Sequence, residues 1–240
     1  MEALEIHTVF TINIFGFSIP VTETVVVSWA VMLILIIGSL VLTSRLKVVP
    51  KGFQAVMETA VEFLNDFSKK QFGSFAKFLG PYIGSLFLFL ILANIIGVLT
   101  PLEIKVFGFD FTPPFMIRPP TRDINVTAAL AVISITLMIV CGFLARGFGG
   151  WFKRLLCPLP MMLPFNIMEI GIRLMSLALR LFGNILGCYV LMHMISGVFP
   201  LALPMVCSLY FDFFDGILQT GIFVFLTSLY ISEAVILHEE

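Results

Sequence analysis

Residues 24–44 contain no Asp, Glu, Lys or Arg. A helix of that length and apolarity matches the roughly 20 residues needed to cross a hydrocarbon core about 30 Å thick. Comparable runs recur at about 80–100 and 124–145, and in longer form at about 165–197 and 204–236. Lipid offers no hydrogen-bonding groups, so each such segment must satisfy its backbone internally, as a helix does. The expected class is an all-α polytopic membrane protein with about five membrane-crossing helices. The last two exceed the length of a perpendicular crossing and are expected to be tilted or bent. Composition agrees: 59% of the 240 residues are hydrophobic and 12% are charged, against about 25% charged in soluble domains. A net charge of −1, with no basic run longer than two residues, offers no nucleic-acid-binding surface.

The intervening sequence is equally specific. Residues 1–20 mix apolar and polar positions around Gly16 and Pro20 and read as an irregular segment at the outer surface, reaching to about residue 23. No basic stretch precedes an apolar core there, so no cleaved signal peptide is expected. Residues 52–72 differ from the spans. Phe53, Val56, Met57, Ala60, Val61, Leu64 and Phe67 recur at three- and four-residue spacing, while Glu58, Glu62, Asp66, Lys69 and Lys70 fill other faces. That pattern predicts an amphipathic helix lying at the membrane interface. The proline-rich stretch 101–125 forms a loop, and Arg146-Gly-Phe-Gly-Gly150 marks a turn after the third span.

Lysine and arginine then give an orientation. Arg45, Lys47, Lys51, Lys69, Lys70, Lys77, Arg146, Lys153 and Arg154 fall on one side, and Lys105, Arg118 and Arg122 on the other. The richer side is expected to be cytoplasmic, which puts the N-terminus outside and, after five crossings, the C-terminus inside. Cys141, Cys157, Cys188 and Cys207 are far apart without a Cys-x-x-Cys, so they read as apolar packing residues with no metal site. No internal repeat and no phosphate-binding glycine loop occur, and no cofactor is expected.

The candidate functional residues lie in the two long segments. Arg180 has about ten mostly apolar residues on either side, and a mid-membrane arginine costs roughly 2.5–3.5 kcal/mol on insertion scales. On a wheel of about 100° per residue with Arg180 at zero, Glu169 falls near −20°, Arg173 near +20° and Ser176 near −40°. Gly183 follows near −60°, Asn184 near +40° and Gly187 near −20°, whereas Tyr189 lies near 180° with His193 about 40° from it. One stripe thus combines embedded polar groups with small residues that admit a second helix. On the last segment, Asp212 and Tyr230 fall about 20° from Gln219, and Asp215 and Glu233 about 40° to the other side. Two readings stand for Arg180: a buried ion pair with Asp212 or Asp215, or a group on an ion pathway, the usual role of an intramembrane charge. Glu169 and Arg173 form an i,i+4 pair that is structural or belongs to the same path. His193 and Asn94 read as residues bonded to a neighbouring helix.

Ser-Leu-Ala-Leu-Arg180-Leu-Phe-Gly-Asn184-Ile-Leu resembles the signature of subunit a of the F-type ATP synthase. Pro120-Thr-Arg-Asp123-Ile-Asn125-Val-Thr127 is similar to the start of that family's third span. Val49-Pro-Lys-Gly-Phe-Gln54, Leu92-Ala-Asn94-Ile-Ile-Gly97, Leu218-Gln219 and Tyr230-Ile-Ser-Glu233 resemble its other blocks, in order and over nearly the whole chain. The resemblance implies a non-catalytic stator whose long helices embrace a rotating ring of c subunits, alongside peripheral-stalk b subunits, the rest of the synthase and the bilayer. It implies two aqueous half-channels separated by Arg180, with Asn184 and Gln219 as its polar neighbours and H⁺ or Na⁺ as the carried ion. Asp212, Asp215, Tyr189 and His193 are then candidates for the outer path, and Glu233, Glu169 and Asp123 complete the expected ion-translocation set. Many members carry an acid where this chain has Tyr189, and some bacterial members have histidine where it has Asp212. The common Lys-Pro is Arg173-Leu174 here. A bacterial plasma membrane is the expected location. A free-standing channel or transporter that binds an anion at Arg180 is the alternative; an intramembrane enzyme is disfavoured by the absence of His-Glu-x-x-His.

Overall fold

The computed structural model describes residues 8–14, 17–44, 46–47, 49–99, 104–106, 109–111, 119–156, 160–198, 207, 210 and 214–235. Six α-helices are seen among the described residues: α1 (Glu23–Thr43), α2 (Phe53–Phe72), α3 (Ala76–Leu99), α4 (Ile124–Leu156), α5 (Leu163–Val198) and α6 (Gly216–Val235). Five segments are long and apolar enough to cross a membrane: Glu23–Thr43, Gln54–Ile96, Ile124–Lys153, Leu163–Met192 and Gly216–Val235. The protein is an all-α polytopic membrane protein.

Two short hairpins accompany the helices. β1 (Thr8–Ile14) pairs antiparallel with β2 (Phe17–Thr22), and β3 (Ile104–Val106) pairs with β4 (Phe109–Phe111). The first corrects the expectation of an irregular N-terminal segment. Thr-Val-Phe-Thr-Ile-Asn-Ile is rich in β-branched and aromatic residues, the composition that favours an extended, paired backbone. Gly16 sits at the link between the strands, outside the described residues.

The chain divides into two compact units. Met1–Ser39, Phe89–Thr127 and Leu181–Thr220 form the first; Leu40–Leu88, Ala128–Arg180 and Gly221–Glu240 form the second. In the first unit the ties are polar. Asp123 precedes α4 as its N-cap: Oδ1 accepts from the Asn125 N–H at 2.8 Å, which satisfies one of the helix's unpaired first-turn donors. Its Oδ2 accepts from Thr24 Oγ1 at 2.8 Å, so the cap also holds the start of α1. Asn94 on α3 makes a second clamp. Its Nδ2 donates to the Gly216 carbonyl at 3.1 Å and to Thr220 Oγ1 at 3.0 Å, while its Oδ1 accepts from Thr121 Oγ1 at 3.0 Å. A Cβ on Gly216 would stand 3.3 Å from the Asn94 Cβ, so glycine there permits the close approach.

In the second unit α2 ends at Gly73, whose φ of 54° is a left-handed value that suits glycine. Leu64, Ser68 and Phe72 form the buried face of α2, and Ser68 and Leu64 approach Gly80 and Gly84 on α3, where no side chain intervenes. The Gln71 carbonyl, one of the last four in α2 and so without an intrahelical partner, accepts from Ser232 Oγ on α6 at 2.7 Å. Tyr82 and Ser134 join α3 to α4 through their hydroxyls, 2.9 Å apart. Within α4 the helical geometry is interrupted at Gly147 (φ 69°, ψ 169°), a conformation that only glycine adopts at low cost. Trp151, just past the break, stacks on Phe143 at 4.3 Å, and its ring lies 3.2 Å from where a Gly142 Cβ would be.

Of the last helix, read from the sequence over 204–236, residues 204–206, 208–209, 211–213 and 236 lie outside the described residues. The continuous α-helix is Gly216–Val235, preceded by wider π-type turns at Tyr210 and at Phe214–Asp215, where the Tyr210 and Phe214 rings stack at 5.3 Å.

The Asn94 clamp has a measurable worth. Interhelical hydrogen bonds in membranes average about 0.6 kcal/mol, so Asn94→Ala, which loses three, is expected to destabilise the protein by about 2 kcal/mol. Thr121→Val, which loses one, should cost about a third of that. Thermal unfolding in detergent checks both values, and equal losses from the two variants would contradict the clamp.

Candidate functional site

Helix α5 has one buried side and one open side. Leu177, Ala178 and Leu181 are buried, while Met175, Leu179, Arg180, Gly183 and Gly187 are exposed. On the wheel the buried residues span roughly 60° to 160° from Arg180, and the open side is centred near −60°. A Cβ added at Gly183 or Gly187 would meet nothing within 4 Å. Among the described residues no side chain fills the small-residue stripe there, and Arg180 stands at its edge. Within the described part of its unit, Arg180 has no ion-pair partner. Asn184, one turn further on, is half-buried.

Gln219 lies in the first turn of α6, next to Thr220 of the Asn94 clamp. It is only 6% exposed, and its Nε2 is buried without a hydrogen-bond acceptor among the described residues. A buried amide left unpaired costs about 1–3 kcal/mol, so this donor is held at a cost that an acceptor from outside the chain would relieve. Asp215, at the π-type turn before α6, is half-buried. Asp123, read from the sequence as part of the ion path, has both carboxylate oxygens engaged in the cap and the tie to Thr24. Asp212, and the side chains of Tyr189 and His193, lie outside the described residues.

The strongest side-chain cluster lies in the second unit. Arg173 Nε donates to Glu169 Oε1 at 3.1 Å, and its Nη2 reaches the same oxygen. The i,i+4 spacing on α5 makes that contact. Nη2 also lies 3.0 Å from Glu233 Oε1 and 2.8 Å from Glu233 Oε2 on α6. The guanidinium carbon stands 4.9 Å from the centroid of the Tyr230 ring, a cation–π distance. Arg173 is 17% exposed in this setting, whereas Glu169 and Glu233 are 54% and 41% exposed. The cluster opens into a cavity of about 340 Å³, whose other walls include Met138, Trp151, Leu155 and Asn166.

Sequence reasoning identified the Glu169–Arg173 pair and, separately, Glu233, but left out the wall. Trp151 reaches it because α4 breaks at Gly147, and Asn166 because its Nδ2 donates to the Leu155 carbonyl at 2.8 Å. The glycine-rich turn was visible in the sequence; the direction it sends Trp151 was not. Among the described residues no group of three or more His, Cys, Asp or Glu side chains is placed to hold a metal ion.

Comparison with known proteins identifies the family. The family model described as "ATP synthase A chain" matches residues 25–232. A relative from Propionigenium modestum, described as "ATP synthase subunit a, sodium ion specific", is 35% identical over 223 residues, covering 93% of this chain and 76% of the relative. The chain therefore belongs to the ATP synthase A chain family, the ion-translocating stator subunit of the membrane sector, with the ATP chemistry carried by other subunits.

Proposed function

We propose that the open side of α5 faces the rotor ring and that Arg180 is the fixed charge dividing two half-channels on either side of the ring's carboxylates. The observation that carries this reading is the exposure of Arg180 beside Gly183 and Gly187, on a face left open among the described residues. A guanidinium there needs an anionic partner, since an unpaired charge in the membrane is costly. A ring carboxylate within about 4–6 Å would be favoured in its ionised form, so an ion carried to this point is released. The same positive charge repels any cation crossing directly from one half-channel to the other. Each charge that completes the passage gains about 2.3 kcal/mol per 100 mV of membrane potential.

The remaining candidates divide by position along α5 and α6. Asp212, Asp215 and Tyr189 serve the outer half-channel, and Asn184 and Gln219 flank the arginine. The cavity at Glu169, Arg173 and Glu233 forms the mouth of the inner half-channel. Asp123 acts as a cap that fixes α1 to α4. The cationic loops face the cytoplasm, which puts the N-terminus outside a bacterial plasma membrane, with α5 and the segment leading into α6 tilted along the ring. Peripheral-stalk b subunits hold the chain against rotation. In this reading the ring selects the ion; the Propionigenium relative's description as sodium specific keeps Na⁺ beside H⁺.

Two experiments test the reading. Arg180→Ala should leave the synthase assembled in membranes while gradient-driven ATP synthesis falls to background; retained ATP-driven ion pumping would sink the proposal. Asp212→Asn should slow translocation more than Asp215→Asn, measured as the rate of ATP-driven ion uptake in inverted vesicles. Wild-type rates in both variants would remove Asp212 from the path.

A further inference from the structure

We propose that Glu169 and Glu233 are charge-balancing residues of the inner ion path, which cancel Arg173 so that cations can pass a second fixed arginine. The proposal rests on the reading of the inner half-channel above. Arg173 precedes Arg180 by seven residues on α5, about 10 Å along the axis and only about 20° around it. An ion moving between Arg180 and the inner surface along this stripe therefore meets a second guanidinium, which, left uncompensated, would repel it as Arg180 does. The structure supplies the compensation from two helices: Glu169 from one turn earlier on α5 and Glu233 from α6 both contact Arg173. One positive and two negative charges leave the cluster at −1. Both carboxylates are far more exposed than the arginine they hold, and both line the cavity. The cavity thus presents carboxylate oxygen to an approaching cation, while the guanidinium is drawn over the Tyr230 ring. A mouth of this charge concentrates cations from solution, and the effect weakens with salt over a Debye length of about 10 Å at 0.1 M.

The alternative is a strut, in which the ion pairs merely hold α5 to α6. Charge and strut separate by rescue. Glu169→Gln with Glu233→Gln takes the cluster from −1 to +1 and should slow both ATP synthesis and ATP-driven ion uptake by about tenfold, the scale of one uncompensated unit charge near the path at intermediate dielectric. The loss should shrink as salt is raised. Adding Arg173→Gln to that pair removes the charge together with the last ion pair and should restore at least about half of the wild-type rate. Arg173→Gln alone, with both carboxylates kept, should carry ions several-fold faster than the double variant. A triple variant as slow as the double overturns the proposal, as does a tenfold loss, or loss of the chain from the complex, with Arg173→Gln alone. Wild-type flow in the double variant, with Arg180→Ala still inactive, overturns it and leaves the Arg180 reading intact. Activity in Arg180→Ala would instead remove the path on which both rest.

Discussion

A guanidinium in the middle of an apolar helix is the constraint around which this molecule is arranged. At roughly 2.5–3.5 kcal/mol on insertion scales, Arg180 opposes the stability of its own helix, and the described part of its unit supplies no carboxylate to relieve it. The helix directs the charge outward instead. Leu177, Ala178 and Leu181 turn inward, and Gly183 and Gly187 keep the outer face low. A small-residue face lets another helix approach closely, where packing and short-range polar contacts replace the hydrophobic effect that lipid cannot provide. Among the described residues of its unit the arginine thus stands without a carboxylate partner.

Around that open side the protein spends its polar groups on holding helices in place. The Asn94 clamp fixes the first turn of α6, where Gln219 sits, and the Asp123 cap fixes the start of α4 to α1. In the other unit Ser232 takes a carbonyl from the end of α2, and Tyr82 meets Ser134. Nearly every one of these residues is a hydroxyl, an amide or a capping carboxylate, and each side chain settles a backbone or side-chain group that lipid would leave unpaired. Among the described residues a few buried polar atoms lack a partner, among them Ser68 Oγ, Thr227 Oγ1 and Gln219 Nε2, and the last occurs in the stretch that the ion-translocation reading assigns to the neighbourhood of Arg180.

Much of this could be read from the residues. The apolar runs mark the spans because their length is matched to a bilayer, and the Glu169–Arg173 pair follows from i,i+4 spacing alone. The addition of Glu233 to that pair could not be read in the same way. Sixty residues separate it from Arg173, and wheel arithmetic places a residue on its own helix without saying which helix it meets. Asp123 entered the expected ion-path set through the family resemblance; its role as a cap depends on the backbone N–H it accepts from, which residue spacing does not show. The N-terminal hairpin was legible in its β-branched composition but was read through Gly16 and Pro20. The apolar run over 204–236 was read as one helix, and such a run does not distinguish α-helix from the π-type turns at Tyr210 and Phe214–Asp215.

The central claim is that the side of α5 bearing Arg180 is the side that meets the rotor, and oxidative cross-linking tests it most directly. A cysteine at Gly183, where the added side chain meets open space, is expected to form a disulfide with a cysteine on the outer helix of the ring subunit. A cysteine at the buried Ala178 on the same helix is expected to form none. Cross-links from Ala178→Cys, with none from Gly183→Cys in an assembled synthase, would contradict the account.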